Sequence, residues 1–126
     1  MLDFPEVDWV VQLDCPEDAN TYIHRAGRTA RFNKNGESLL VLLPSEEEYM
    51  LKEMGTKKIP IEKIQVNPSK SMVVGRKFES LLARDLNLKE CAQRAFKAYL
   101  KSVALMKNKQ IFRVAELDLP SFARLE

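Results

Sequence analysis

The chain has 126 residues, 45% of them hydrophobic and 30% charged, with 20 Lys and Arg against 18 Asp and Glu. This is a globular composition of single-domain length, and it excludes a disordered or low-complexity chain. Two distant cysteines, Cys15 and Cys91, exclude a disulfide framework and a Cys-x-x-Cys zinc cluster and fit a reducing compartment. The longest strongly apolar run, Leu39 to Leu43, is far shorter than the ~20 residues of a membrane span, so no membrane partner is expected. The start, Met1-Leu2-Asp3-Phe4-Pro5, lacks the basic and apolar regions of a secretory signal.

The near-neutral total hides a division. Through Pro44 there are 4 basic and 7 acidic residues, and from Ser45 onward 16 basic and 11 acidic. Lys57 to Lys109 alone carries 13 basic against 4 acidic residues, a net of +9. Such a field attracts polyanions, although a solvated helical surface has the same composition.

In chain order, Trp9-Val10-Val11-Gln12-Leu13 has the length and β-branching of a buried strand. Asp14 with Glu17 predicts a capped helix start, and the helix should run through Tyr22 and Ile23 to about Ala26, with Gly27 as its exit. Asn33-Lys34-Asn35-Gly36 is turn chemistry. Ser38 to Leu43 predicts a second apolar strand, ended by Pro44. Strand, helix, strand with apolar strands is the pattern of an α/β unit with a parallel sheet, and a two-strand remnant of such a sheet should leave apolar surface and strand edges uncovered.

Ser45-Glu46-Glu47-Glu48 places acids at a helix N-terminus, and that helix should end near Gly55. Ile59 to Ile64 reads as an extended connector with apolar anchors. From about Ser71 the pattern becomes helical. Phe78, Leu81 and Leu82 form one stripe. Ala92, Ala95, Phe96, Tyr99, Leu100, Val103 and Met106 form a longer one, opposite Arg94, Lys97 and Lys101. Leu117, Leu119, Pro120 and Phe122 make a short final segment.

The informative stretch is His24-Arg25-Ala26-Gly27-Arg28-Thr29-Ala30-Arg31. Guanidinium groups take phosphate oxygens through paired, charge-assisted hydrogen bonds that lysine cannot copy. Arg25 and Arg28 should lie near one face, and a turn at Gly27 would let Arg28 and Arg31 converge. Spacing alone also fits three solvated arginines on an amphipathic helix. His24 has no acidic or cysteine partner at metal-ligand spacing, so no metal site is expected. Cys15 reads as a buried, inert thiol, and no serine or threonine has a base beside it.

The order His-Arg-x-Gly-Arg-x-x-Arg after a strand and helix resembles motif VI of superfamily-two helicases. With Leu2-Asp3-Phe4-Pro5, Val7-Asp8-Trp9-Val10-Val11-Gln12, Asp14-Cys15-Pro16-Glu17-Asp18 and Tyr22-Ile23-His24-Arg25, it resembles the second RecA-like domain of DEAD-box RNA helicases. The resemblance implies that Arg28 and Arg31 are catalytic and reach the γ-phosphate of ATP. It implies that His24 and Arg25 couple hydrolysis to domain closure, and that Asp3 contacts the ATP ribose. The family has Arg-Gly before Leu2-Asp3, where this chain has Met1 at the glycine position, so it is expected to begin inside motif V.

Ala92 to Val103, Met106-Lys107 and Ile111-Phe112 resemble the helical C-terminal extension of family members in ribosome assembly. Ile59 to Pro68 is similar to the nucleolar, small-subunit ribosome-biogenesis branch, whose extension continues past the position of Ala123. The expected architecture is α/β. Residues 1–56 would be the C-terminal remnant of a RecA-like parallel-sheet domain, and residues 57–126 a basic, mainly α-helical extension.

The resemblance implies an ATP-dependent RNA helicase in rRNA processing. ATP and Mg2+ would be held mainly by a first RecA-like domain of the same intact protein. Pre-ribosomal or small nucleolar RNA and ribosome assembly factors would be partners, in the nucleus and nucleolus. These residues contain no Gly-x-x-x-x-Gly-Lys-Thr loop and no Asp-Glu-Ala-Asp, so alone they are expected to hydrolyse no ATP. The alternative is a non-enzymatic RNA- or protein-binding module acting through Arg94, Lys97 and Lys101.

Overall fold

The computed structural model describes residues 7–29 and 36–124. The element order among them is β1 (Trp9–Gln12), α1 (Ala19–Ala26), β2 (Glu37–Leu40), α2 (Pro44–Thr56), α3 (Gly75–Arg84), α4 (Leu86–Leu105) and α5 (Leu119–Ala123), with short 3-10 turns at Pro68–Lys70 and Val114–Glu116. Backbone contacts divide the chain into two compact units. One runs through Ile61 and includes Lys107–Phe112; the other comprises Glu62–Met106 and the residues from Arg113 on.

In the first unit β1 and β2 pair in parallel, Trp9 with Glu37, Val10 with Ser38, Val11 with Leu39 and Gln12 with Leu40. This is the expected α/β remnant. Side chains alternate across a strand, so Val10, Gln12, Ser38 and Leu40 share one face. The other face is uncovered, as expected of a two-strand remnant: Trp9 and Val11 stay 54% and 53% exposed. The most enclosed β1 side chain is instead the polar Gln12, at 3%. A two-stranded sheet has too little material to cover both of its faces.

α1 begins four residues later than the sequence suggested. Asp18, in extended conformation, is the N-cap, and its Oδ1 accepts from the Thr21 N–H at 2.7 Å. Cys15, Pro16 and Glu17 precede the helix. Ala19 and Tyr22 are buried on α1, and the Ala19 N–H donates to Glu53 Oε1 on α2 at 2.9 Å. That bond joins the start of α1 to the last turns of α2.

α2 starts at Pro44, whose missing N–H costs nothing at the first helical position. The Glu46 carboxylate accepts from the Leu43 N–H at 2.9 Å. Met50 and Met54 are fully buried on this helix. The helix ends beyond Gly55, at a Schellman-type turn: Ile59 N–H donates to Met54 O at 3.1 Å and Lys58 N–H to Gly55 O at 3.0 Å. Lys58 takes the left-handed conformation there, with φ 55°. Ile111 and Phe112, also buried, complete this unit's apolar set.

In the second unit Asp85 interrupts the helical pattern. Its carboxylate accepts from the N–H groups of Asn87 and Leu88, ending α3 and capping α4. Val103 and Leu117 are buried. Phe122 stacks on Phe96 and packs tilted against Tyr99, with centroids 5.9 Å apart in both pairs. The aromatic members of the α4 stripe therefore pack on α5, whereas Ala95 is exposed. The connector anchors are not buried as a set: Ile59 is half-buried, but Ile64 and Val66 are 65% and 72% exposed. No helix among the described residues is long and apolar enough to cross a membrane.

Candidate functional site

The last turn of α1 carries His24 and Arg25, and the Arg25 cation stands where the helix dipole favours it. The Arg25 guanidinium donates from Nη1 to the Asp14 carbonyl at 3.1 Å. Arg25 thus fastens the end of α1 to the chain leaving β1. Asp14, expected as a helix cap, contributes its main-chain oxygen here instead.

Gly27 is the C-cap of α1, and its N–H donates to Ile23 O at 2.8 Å. Its φ is −62°, so the turn does not use a left-handed glycine. The constraint is space: a Cβ at Gly27 would lie 3.2 Å from the Ile23 carbonyl oxygen. Arg28 follows, with its N–H donating to Arg25 O at 3.3 Å and its carbonyl accepting from Val7 N–H at 3.4 Å. Thr29 is buried, and its hydroxyl and N–H both reach Ala26 O, at 3.2 and 3.1 Å. Gly36 approaches so closely that a Cβ there would overlap the Thr29 side chain. The backbone carrying the arginines is therefore held from both sides.

Arg25, Arg28 and His24 all line one open cavity of about 780 Å³, together with Thr21, Val7 and the residues from Val10 to Asp14. His24 and Arg25 are exposed and Arg28 is half-buried. The cavity runs along β1, from Val7 before the strand to Asp14 after it, beside the end of α1. Asp3 and Arg31, expected to complete the nucleotide site, lie outside the described residues.

Gln12 went unnoticed as a site residue in the sequence. Both atoms of its side-chain amide are buried without a hydrogen-bond partner, as is the Ser38 hydroxyl on the same sheet face. The available signal was a polar residue within an apolar run. Cys15 is buried, and burial pushes its thiol up to about 12, so it is an inert thiol at neutral pH. Arg94, Lys97 and Lys101 are all exposed on α4, and Arg94 Nη2 donates to Cys91 Sγ at 3.3 Å.

Two family models match this chain. "Helicase conserved C-terminal domain" covers residues 2–33, and "ATP-dependent rRNA helicase SPB4-like, C-terminal extension" covers residues 85–125. The mouse and human proteins named "Probable ATP-dependent RNA helicase DDX10" are each 57% identical over 122 residues, 97% of this chain. "ATP-dependent RNA helicase dbp4" of Sclerotinia sclerotiorum is 52% identical over the same share. The chain belongs to the DEAD-box RNA helicases. It is similar to the DDX10 and dbp4 members across nearly all its length, and it spans only 14–15% of the length of these relatives. The two family matches fall on the α1 arginine turn and on α4 with α5.

Proposed function

We propose that this chain supplies the arginine side of an ATP site shared with a first RecA-like domain, coupling ATP hydrolysis to RNA remodelling. The observation that carries this reading is the shared cavity: Arg25, Arg28 and His24 face one concave space on a tightly held turn. Two arginines at such a place suit the oxygens of a polyphosphate. Arg28 would neutralise charge that builds on the transferring phosphoryl group, with Arg31 as its expected companion and Asp3 on the ribose. Arg25 holds the turn to β1, and His24 stands exposed for contact with the ATP-bearing domain. The first RecA-like domain would hold Mg2+ and most of the nucleotide. Residues 1–56 would serve ATP and residues 57–126 RNA.

Pre-ribosomal RNA is the proposed substrate class and the nucleolus the proposed place, with ribosome assembly factors as partners. The rRNA helicase name carried by the matching extension model supports this. A second reading, RNA or protein docking through the extension, draws on the exposed Arg94, Lys97 and Lys101 and the +9 segment.

The test is a chimera in which this chain replaces the matching segment of the mouse relative. RNA-stimulated ATP hydrolysis should persist in the chimera. It should fall by on the order of 10³-fold on Arg28→Ala, the lower end of arginine-finger effects. Unchanged hydrolysis would remove Arg28 from the nucleotide site.

A further inference from the structure

The surface of α3 keeps an apolar shelf open to solvent. The helix packs against α4, yet of its stripe Phe78, Leu81 and Leu82 only Leu82 is half-buried. Phe78 stays 54% exposed and Leu81 43%. The other rings of this unit, Phe96 and Tyr99, pack together through Phe122. Phe78 has no ring partner among the described residues. A phenylalanine ring has no polar atom for water to hold, so it gains from being covered.

The neighbours of that shelf are cations. Residues three and four apart meet on a helix, so Leu81 stands beside Lys77 and Phe78 in the preceding turn and Arg84 in the next. Arg76 lies on the same side as Arg84, about 12 Å away along the axis. Arg76, Lys77 and Arg84 are all exposed, and none has an ion-pair partner among the described residues. Glu79, the acid of α3, is two residues from Leu81 and so lies on the other side. The Asp85 carboxylate beyond the helix end is taken by the N–H groups of Asn87 and Leu88.

An open ring beside unpaired cations fits a ligand that has both flat apolar faces and phosphates. Single-stranded RNA offers both: its bases stack on aromatic rings while its phosphates take the cations. A polyanion without bases would leave the ring uncovered. A protein interface excludes charge from its apolar centre, whereas Lys77 and Arg84 flank Leu81 directly. We propose that α3 is a platform for single-stranded RNA, on which Phe78 stacks a base beside Leu81 while Lys77, Arg84 and Arg76 hold the flanking phosphates. This rests on the RNA-docking reading of the extension and adds a base contact that the α4 cations do not supply.

The test titrates the 126-residue chain with a single-stranded uridine oligonucleotide and, separately, with inorganic polyphosphate, which has no bases. Phe78→Leu should weaken RNA binding about tenfold and leave polyphosphate binding unchanged. Phe78→Tyr, which keeps a ring, should bind both ligands as the parent does. Replacing Lys77 and Arg84 together by Gln should weaken both ligands and shrink the RNA salt slope by about 1.4. RNA affinity unchanged in Phe78→Leu would overturn the proposal and leave the shelf to a protein partner. Equal losses for RNA and polyphosphate in Phe78→Leu would also overturn it, because the ring would then support the cationic face and touch no base. Failure of the underlying reading is separately visible: the parent chain would bind neither ligand, whatever stands at position 78.

Discussion

The two units of this chain hold their candidate residues in opposite ways. In the first, a short turn is fixed in space. Arg25 is bonded to the Asp14 carbonyl, a side chain at Gly27 would crowd the Ile23 carbonyl, and Gly36 closes over the buried Thr29. In the second, few side chains are buried and the α4 cations Arg94, Lys97 and Lys101 stand in solvent. Under the proposed function, geometry would carry the first unit and charge the second. A phosphate-directed arginine depends on position to within fractions of an ångström, whereas attraction of an RNA backbone depends on field and tolerates movement.

Substitutions should separate these two modes. The largest effect is expected at the turn, where Arg28→Ala abolishes most RNA-stimulated hydrolysis in the chimera while leaving the thermal midpoint of the chain nearly unchanged. Next comes the apolar core of the same unit. Met50→Ala or Ile111→Ala removes a fully buried side chain and should cost about 2–5 kcal/mol in denaturant unfolding. In the second unit, replacing Arg94, Lys97 and Lys101 together by Gln should leave folding intact and weaken single-stranded RNA binding. If each cation meets one phosphate, the salt slope should shrink by about 2. An unchanged slope would place the RNA contact elsewhere.

Smaller effects sharpen the picture of how the first unit is built. Asp18→Ala should cost about 1 kcal/mol by removing the α1 cap. The Thr21 backbone N–H holds the Asp18 carboxyl below its ordinary range. Its folded value is lowered, so its contribution is present above the unfolded carboxylate value and is lost as acid brings the pH down through the folded one. An acid titration of stability should show this loss in the parent and not in Asp18→Ala. The smallest change is a gain: Lys58→Gly should stabilise by up to about 1 kcal/mol, because Lys58 occupies a left-handed position at the end of α2.

How legible this was in the sequence depended on the kind of signal. Hydrophobic periodicity located both strands and the long helices, since burial is what periodicity encodes. Cap positions were less legible. Asp14 and Asp18 are chemically alike, and only the backbone path decides that Asp18 caps α1 while Asp14 offers its carbonyl to Arg25. The left-handed residue ending α2 was invisible, because Lys58 is not a glycine. In the site, the arginine spacing was plain, but the reason for Gly27 is steric closeness to Ile23 and not a left-handed turn. Gln12 could not be ranked from sequence, because a polar residue in a strand reads the same whether its amide is paired or orphaned.

The central claim is that the α1 arginine turn completes an ATP site carried by another domain. The most direct measurement is RNA-stimulated ATP hydrolysis by the mouse chimera, with and without Arg28→Ala, beside the 126-residue chain alone. The account predicts hydrolysis by the chimera, its near-complete loss in the variant, and none by the isolated chain. Turnover by the isolated chain, or a variant as active as its parent, would contradict it.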